Sequence, residues 1–206
     1  MSSQNFSMKS YMQGALLLTI AALIVKVLSA AYRVPFQNLV GDQGFYVYQQ
    51  VYPFVAIFVT WTAGGVAVAI SKMLADIESE TIHGRARRKS ILKVIYQYLT
   101  VLSLLFFSIL FFGAPVLAGW MEDEGLVTPL RVGAFITLCM PILAILKGSF
   151  QSRGVMNPIA YSQVFEQAIR VSVILLGTMI VMATTKSVYG AGTIAIFGTV
   201  IGEIAG

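Results

Sequence analysis

Pro158-Ile-Ala-Tyr-Ser-Gln163-Val-Phe-Glu166-Gln167-Ala-Ile-Arg170-Val-Ser-Val-Ile-Leu-Leu-Gly-Thr-Met-Ile-Val-Met-Ala183 is the stretch whose reading decides the fold. It is long and apolar enough to cross a bilayer as one helix, which takes about 20 residues. Its charges, Glu166 and Arg170, sit at i and i+4, the favourable order for a helical ion pair. With Gln163 and Gln167 they fall at i, i+3, i+4 and i+7, so they form one polar face on an otherwise apolar helix. Two uses of such a face stay open at this point. It can be a structural ion pair joining helices inside a bundle, or a substrate-facing or gating seam.

Five further stretches read the same way: about Tyr11–Tyr32, Tyr46–Ile70, Ile91–Leu117, Val127–Leu146 and Gly190–Gly206. The chain is therefore expected to be an all-α polytopic membrane protein, a six-helix transmembrane bundle with one domain over residues 1–206. The last stretch is still apolar at Gly206, with no basic flank or turn, and reads as a span cut off during or just after its crossing. The first reads as a retained span and not a cleaved signal, because Lys26 interrupts its apolar region and further spans follow.

Composition agrees. Of 206 residues, 57% are apolar and 11% charged, and mean hydropathy is +0.81. A soluble domain carries about 25% charged residues. A soluble enzyme, a disordered segment and a nucleic-acid module are all excluded on this ground. The net charge of +5 is carried largely by short connections and reports orientation. Lys9, Lys72, Arg85, Arg87, Arg88, Lys89, Lys93, Lys147 and Arg153 fall on one side, Arg131 and Lys186 on the other. By the positive-inside rule the N-terminus is cytoplasmic. The run Arg85–Lys89 reads as a solvated topology signal with anionic membrane lipids as possible partners. His83 reads as solvated and Cys139 as a packing residue.

Ionisable groups at bilayer depth are costly, so each is a functional candidate. Lys26 and Arg33 lie seven residues apart, on one face of the first span, with no carboxylate in that span to neutralise them. A cationic stripe of this kind suits an anionic substrate, and arginine suits phosphate; snorkelling to the interfaces is the alternative. Glu203 lies within Gly198-x-x-x-Gly202-x-x-x-Gly206, a small-residue repeat that lets helices approach closely. It is a candidate ion-coupling site, or a partner for a basic residue on another helix. Pro53, Gly64-Gly65 and Pro141 are expected to break spans two and four, as in helices that bend in transporters. No catalytic signature, phosphate loop or metal-ligand spacing is visible, so neither enzyme activity nor a cofactor is expected.

Several ordered segments resemble one family. They are Lys26-Val-Leu-Ser-Ala-Ala-Tyr-Arg33-Val-Pro35, Val40-Gly41-Asp42-Gln43-Gly44, Tyr48-Gln49-Gln50-Val-Tyr52-Pro53 and Val68-Ala-Ile70-Ser71-Lys72. Further along come Lys147-Gly148-Ser-Phe-Gln151-Ser-Arg153-Gly154, Asn157-Pro158, Ser162-Gln163-Val-Phe-Glu166-Gln167-Ala-Ile-Arg170 and Gly202-Glu-Ile-Ala-Gly206. Together they resemble the stage V sporulation protein B-like polysaccharide exporters and lipid II flippase-like proteins of the multidrug/oligosaccharidyl-lipid/polysaccharide exporter superfamily. The resemblance implies the N-terminal lobe of a two-lobed exporter that flips a lipid-linked anionic saccharide outward across the bacterial cytoplasmic membrane by alternating access. It also implies that Lys26 and Arg33 face the cavity and engage the substrate pyrophosphate, with Gln163, Glu166, Gln167 and Arg170 as further substrate contacts. The cavity side would be covered by a C-terminal lobe or a second copy. One departure is visible: Ile57-Phe-Val-Thr-Trp61 lacks the arginine pair that the best-known lipid II flippases carry there. Two other readings are a cation-coupled multidrug exporter and a non-transporting six-helix scaffold or partner subunit.

Overall fold

The computed structural model describes residues 2–75, 77 and 82–206, with side chains described for all of these except 2–11, 63 and 82. Every helix or strand element among them is helical. The side chain of Lys9, counted above for orientation, lies outside the described residues.

Helix α1 (Ser2–Ala31) passes through a turn at Tyr32 into α2 (Arg33–Thr60). Residues 33–45, expected to connect two spans, are instead helical on both sides of one break. That break is Gly41, at φ 69° and ψ −177°, a conformation open essentially to glycine alone. The chain doubles back there. In a straight helix residues 32 and 48 would stand about 24 Å apart. The Tyr32 and Tyr48 hydroxyls are instead hydrogen-bonded at 2.9 Å. Phe36 packs edge-on to Tyr48, and Gln37 donates to Asp42 across the turn.

Pro53 does not break α2. The irregularity comes further on, where a π-helical turn, Trp61–Val66, contains the Gly64-Gly65 pair and leads into α3 (Ala67–Ala75). Helix α4 (Ile82–Trp120) begins well before the span expected at Ile91, so Arg85–Lys89 are helical and not a loop. Arg88 is buried there: its guanidinium donates to the Ser149 carbonyl and the Ser152 hydroxyl at the C-terminal end of the helix that spans Ile136–Gln151. A 3₁₀ turn, Glu124–Leu126, precedes α5 (Val127–Ala134), and Phe135 joins α5 to α6 (Ile136–Gln151). Pro141 lies inside α6 without ending it. The chain then turns through Gly154, at φ 70°, into α7 (Asn157–Thr184), which carries Pro158 in its first turn, where a missing N–H costs nothing. Helix α8 (Val188–Ala205) is capped by Ser187, whose hydroxyl accepts from Gly190 N at 3.0 Å.

Among the described residues, five helical runs are long and apolar enough to cross a membrane: Met12–Ala75, His83–Trp120, Glu124–Gln151, Asn157–Thr184 and Val188–Ala205. The six separate spans read from the sequence become five such runs because the first two are joined through α1–α3. The core lies where α2, α5, α7 and α8 meet α4 and the start of α6, with Val47, Val51, Ile136, Ile174 and Ile196 fully buried. The helix surfaces stay apolar: Leu16, Leu23, Phe112, Leu176 and Ile180 are all exposed. Such an outside is stable only in a medium as apolar as itself, and this is a multi-pass membrane protein.

Candidate functional site: a buried charge cluster and an exposed cationic stripe

The polar face of α7 meets charges from two other helices. Arg170 Nη2 donates to Glu166 Oε1 at 2.5 Å on its own helix and to Glu203 Oε1 at 3.2 Å on α8. Lys147 of α6 stands 3.9 Å from Glu166 Oε2 and 4.0 Å from Glu203 Oε2. Two cations and two carboxylates thus alternate around one centre. Their side chains are nearly inaccessible, Glu203 retaining 3% of its exposure and the other three 10–11%. Burying a charge is costly unless a partner and hydrogen bonds replace water. Here each carboxylate faces both cations, so the set is neutral as a whole.

Glycine makes the cluster possible. A Cβ on Gly202 would stand 2.9 Å from Arg170 Cβ and 3.1 Å from the Glu166 carbonyl oxygen. On Gly206 it would stand 2.6 Å from Glu166 Cβ, and on Gly198 it would meet Ile174 at 2.8 Å. The expected packing role of this repeat is what the structure shows: it is the face on which α8 lies against α7. Gln167 accepts from Arg170 Nη1 at 3.4 Å. Gln167 Nε2 and Arg170 Nε are buried donors without an acceptor among the described residues.

The structure therefore brings together Glu166, Gln167, Arg170 and Glu203. It does not bring Gln163, half-buried further toward the start of α7, into a hydrogen bond among the described residues. Lys26 and Arg33 lie apart from the cluster, both exposed and without an ion-pair partner among the described residues. Lys147 is the residue the sequence reading misplaced. A span ending at Leu146 puts it in a cytoplasmic loop. Helix α6 continues to Gln151, and the nearest real stop signal is Gly154. Ending the span at that glycine would have placed Lys147 inside the helix.

The fold and these charges define a multi-pass helical membrane protein with a self-neutralised ion cluster between α6, α7 and α8. The comparisons name its kind: residues 11–206 match the family described as Polysaccharide biosynthesis protein, and the chain belongs to that family. It is 42% identical over 192 residues to the uncharacterized membrane protein YabM of Bacillus subtilis (strain 168), covering 93% of this chain and 35% of that protein. It is 34% identical to the stage V sporulation protein B of the same organism, covering 96% of this chain and 38% of the relative. With the lipid II flippase MurJ of that organism it shares 28% identity, over 95% of this chain and 37% of the relative. The chain thus spans little more than a third of each relative's length. No solved structure matches it.

Proposed function

We propose that this chain is the N-terminal lobe of an exporter that flips a lipid-linked anionic saccharide across the bacterial cytoplasmic membrane by alternating access. On this reading the doubled-back run Met12–Ala75 makes two crossings, which restores six spans, and the N-terminus is cytoplasmic. Relatives named as a sporulation protein and a lipid II flippase support the class of cargo.

The observation that carries the reading is the contrast between the two sets of charges. The buried carboxylates, Glu166 and Glu203, are both paired with cations, and none is free to bind a cationic drug. Lys26 and Arg33 are exposed cations on an apolar helical arm with no ion-pair partner among the described residues. A cation at that depth needs a counter-charge, and a pyrophosphate-linked substrate supplies one, with arginine able to grip it bidentately. In this assignment Glu166 and Arg170 bond the helices, Gln163 and Gln167 line the polar seam, and Glu203 couples to an ion only if its pairing opens. A C-terminal lobe or a second copy closes the cavity.

The test is the double variant Lys26→Ala, Arg33→Ala in the protein at its native length, reconstituted in vesicles with a fluorescent lipid-pyrophosphate saccharide. Flipping is expected to fall to background while insertion and thermal unfolding stay unchanged. Full flipping by the double variant would overturn the role of these cations.

A further inference from the structure

The helices hold two separate buried cores. The main one, with Val51, Ala118 and Ile196, joins α2, α5, α7 and α8 to the far end of α4 and the start of α6. A smaller one, made of Ile70, Leu74, Leu99 and Ala144, joins α3, the first half of α4 and the second half of α6. This second group is tied together internally. A Cβ on Gly148 of α6 would stand 2.7 Å from Ile70 Cβ and 2.8 Å from the Ala67 carbonyl oxygen of α3. Arg88 of α4 holds the end of α6 through the Ser149 carbonyl and the Ser152 hydroxyl.

Two helix irregularities lie between the cores. In the α2–α3 arm it is the π-helical turn Trp61–Val66, with Gly64-Gly65 inside it. In α6 it is Pro141, which has no N–H to give and frees the carbonyl four residues back. That carbonyl, on Thr137, is buried and accepts from the Ser103 hydroxyl of α4 at 2.7 Å. The two irregularities face each other. On the main-core side a Cβ on Gly133 would stand 2.9 Å from Val55, and on the other side Gly148 meets Ile70. Both contacts keep one register, so Pro141 stands opposite the middle of the π turn. Proline and π turns are where helices bend. Helix α4 runs unbroken past this level and reaches the main core with Ala114 and Ala118, whose small side chains let it tilt.

We propose that α3, the first half of α4 and the second half of α6 form one hinged segment, pivoting at the π turn and at Pro141, and that Lys147 latches it to α7 and α8. Lys147 lies on this segment, beyond Pro141, while Glu166 and Arg170 lie on α7 and Glu203 on α8. Its approaches to Glu166 and Glu203, at 3.9 and 4.0 Å, are the only ion pairs from the segment to those helices among the described residues. They are too long to be hydrogen bonds. Arg170, by contrast, is hydrogen-bonded to both carboxylates within α7 and α8. A swing of the segment therefore parts Lys147 from the cluster without unfolding either core, and leaves Glu166 and Glu203 to share Arg170. The device rests on helix geometry and not on what is transported, so loss of the transport reading would leave it standing.

The test is pulsed electron double resonance on the native-length protein in vesicles, with its own cysteines, Cys139 among them, replaced by serine. Spin labels on Met73→Cys and Phe165→Cys, both exposed positions, report α3 against α7. Labels on Ile57→Cys and Ile180→Cys, exposed on the main-core side, are the control. The helix rises about 15 Å from the π turn to Met73, so a swing of about 20° displaces that label by about 5 Å. The latch is released by Lys147→Met with Glu203→Gln, which keeps one cation facing one carboxylate so that the cluster stays neutral. This variant is expected to enlarge a Met73–Phe165 component shifted by about 5 Å and to leave the control distance where it was. Adding Gly64→Ala and Gly65→Ala is expected to shrink that component about twofold or more, because alanine is less free than glycine. Both methyl groups fit: the one on residue 64 meets nothing within 4 Å, the one on residue 65 only Trp61 at 3.4 Å. An unchanged Met73–Phe165 distribution on releasing Lys147 overturns the latch. An equal shift in the control pair overturns the hinge, and a shifted component that keeps its full share with alanine at 64 and 65 overturns the π turn as its pivot.

Discussion

Arg170 on α7 reaches Glu203 on α8 at 3.2 Å only because Gly202, the residue before Glu203, has no side chain to hold the two helices apart. The small-residue repeat and the ion cluster are one device: the glycines set the distance, and the charges exploit it. Gly202→Ala is therefore expected to destabilise the protein by about 1–3 kcal/mol through overpacking against Arg170 and the Glu166 backbone. Gly113→Ala is the control. A Cβ there meets nothing within 4 Å, and replacing a mid-helix glycine gains about 0.5–1 kcal/mol. Thermal unfolding in detergent of both variants checks this; equal melting temperatures would contradict it.

Within the cluster the two cations are not equivalent. Arg170 is hydrogen-bonded to both carboxylates, while Lys147 stands at 3.9 and 4.0 Å from them. Arg170→Met leaves two buried carboxylates facing one distant ammonium, and breaking a buried pair costs about 3–5 kcal/mol. Lys147→Met is expected to cost less. The double variant Arg170→Met, Glu203→Gln keeps one cation and one carboxylate, so its loss is expected to fall short of the sum of the single losses by about 0.5–3 kcal/mol. A double-mutant cycle on unfolding free energies measures this coupling. Strict additivity would mean that Arg170 and Glu203 do not act on each other.

What the sequence made legible follows from periodicity. The polar face of α7 could be read because helical spacing alone puts Gln163, Glu166, Gln167 and Arg170 together, and the glycine repeat announced a close helix contact. The partner across that contact could not be read. Nothing in the spacing of Gly202 or Glu203 says which helix lies opposite, and Lys147 was hidden by a span boundary drawn at the first charge instead of at the first true helix stop. The turn between the first two arms is also narrower than the sequence suggests. Pro35, Gln37 and Asn38 look like loop residues, yet helix continues to Val40 and a single glycine makes the reversal.

That reversal gives a prediction resting on backbone alone. Gly41 holds φ 69° and ψ −177°, and a Cβ there would touch nothing within 4 Å. Any loss in Gly41→Ala is therefore conformational strain and not a clash. It is expected at about 1–3 kcal/mol. The Tyr32–Tyr48 hydrogen bond at 2.9 Å gives a second readout. Tyr48→Phe removes it and is expected to cost about 0.5–1.5 kcal/mol. Unfolding of the two variants in one detergent separates these effects, and a Gly41→Ala protein as stable as the parent would show that the turn is made differently.

The end of the bundle that carries the Gly41 turn, where Gly44 lies beside Val188, is also tied together by Asp123. Its carboxylate accepts from Gly125 N at 2.9 Å, holding the 3₁₀ turn before α5, and from the Tyr189 hydroxyl at 2.9 and 3.0 Å, tying that turn to the start of α8. The Tyr189 ring packs against Gly125, so the turn and the ring fit only while residue 125 lacks a side chain. Tyr189→Phe keeps the ring and loses one donor, an expected cost of about 0.5–1.5 kcal/mol. Asp123→Ala removes that acceptor and the turn's cap together, so it is expected to cost more, by about 0.5–2 kcal/mol for the cap. Once Asp123 is gone the tyrosine hydroxyl has nothing to bind there. Tyr189→Phe added to Asp123→Ala is therefore expected to change stability by no more than a few tenths of a kcal/mol. Thermal unfolding of the two single variants and the double variant decides the matter: a full second loss in the double variant would mean that the tyrosine hydroxyl contributes through something other than Asp123.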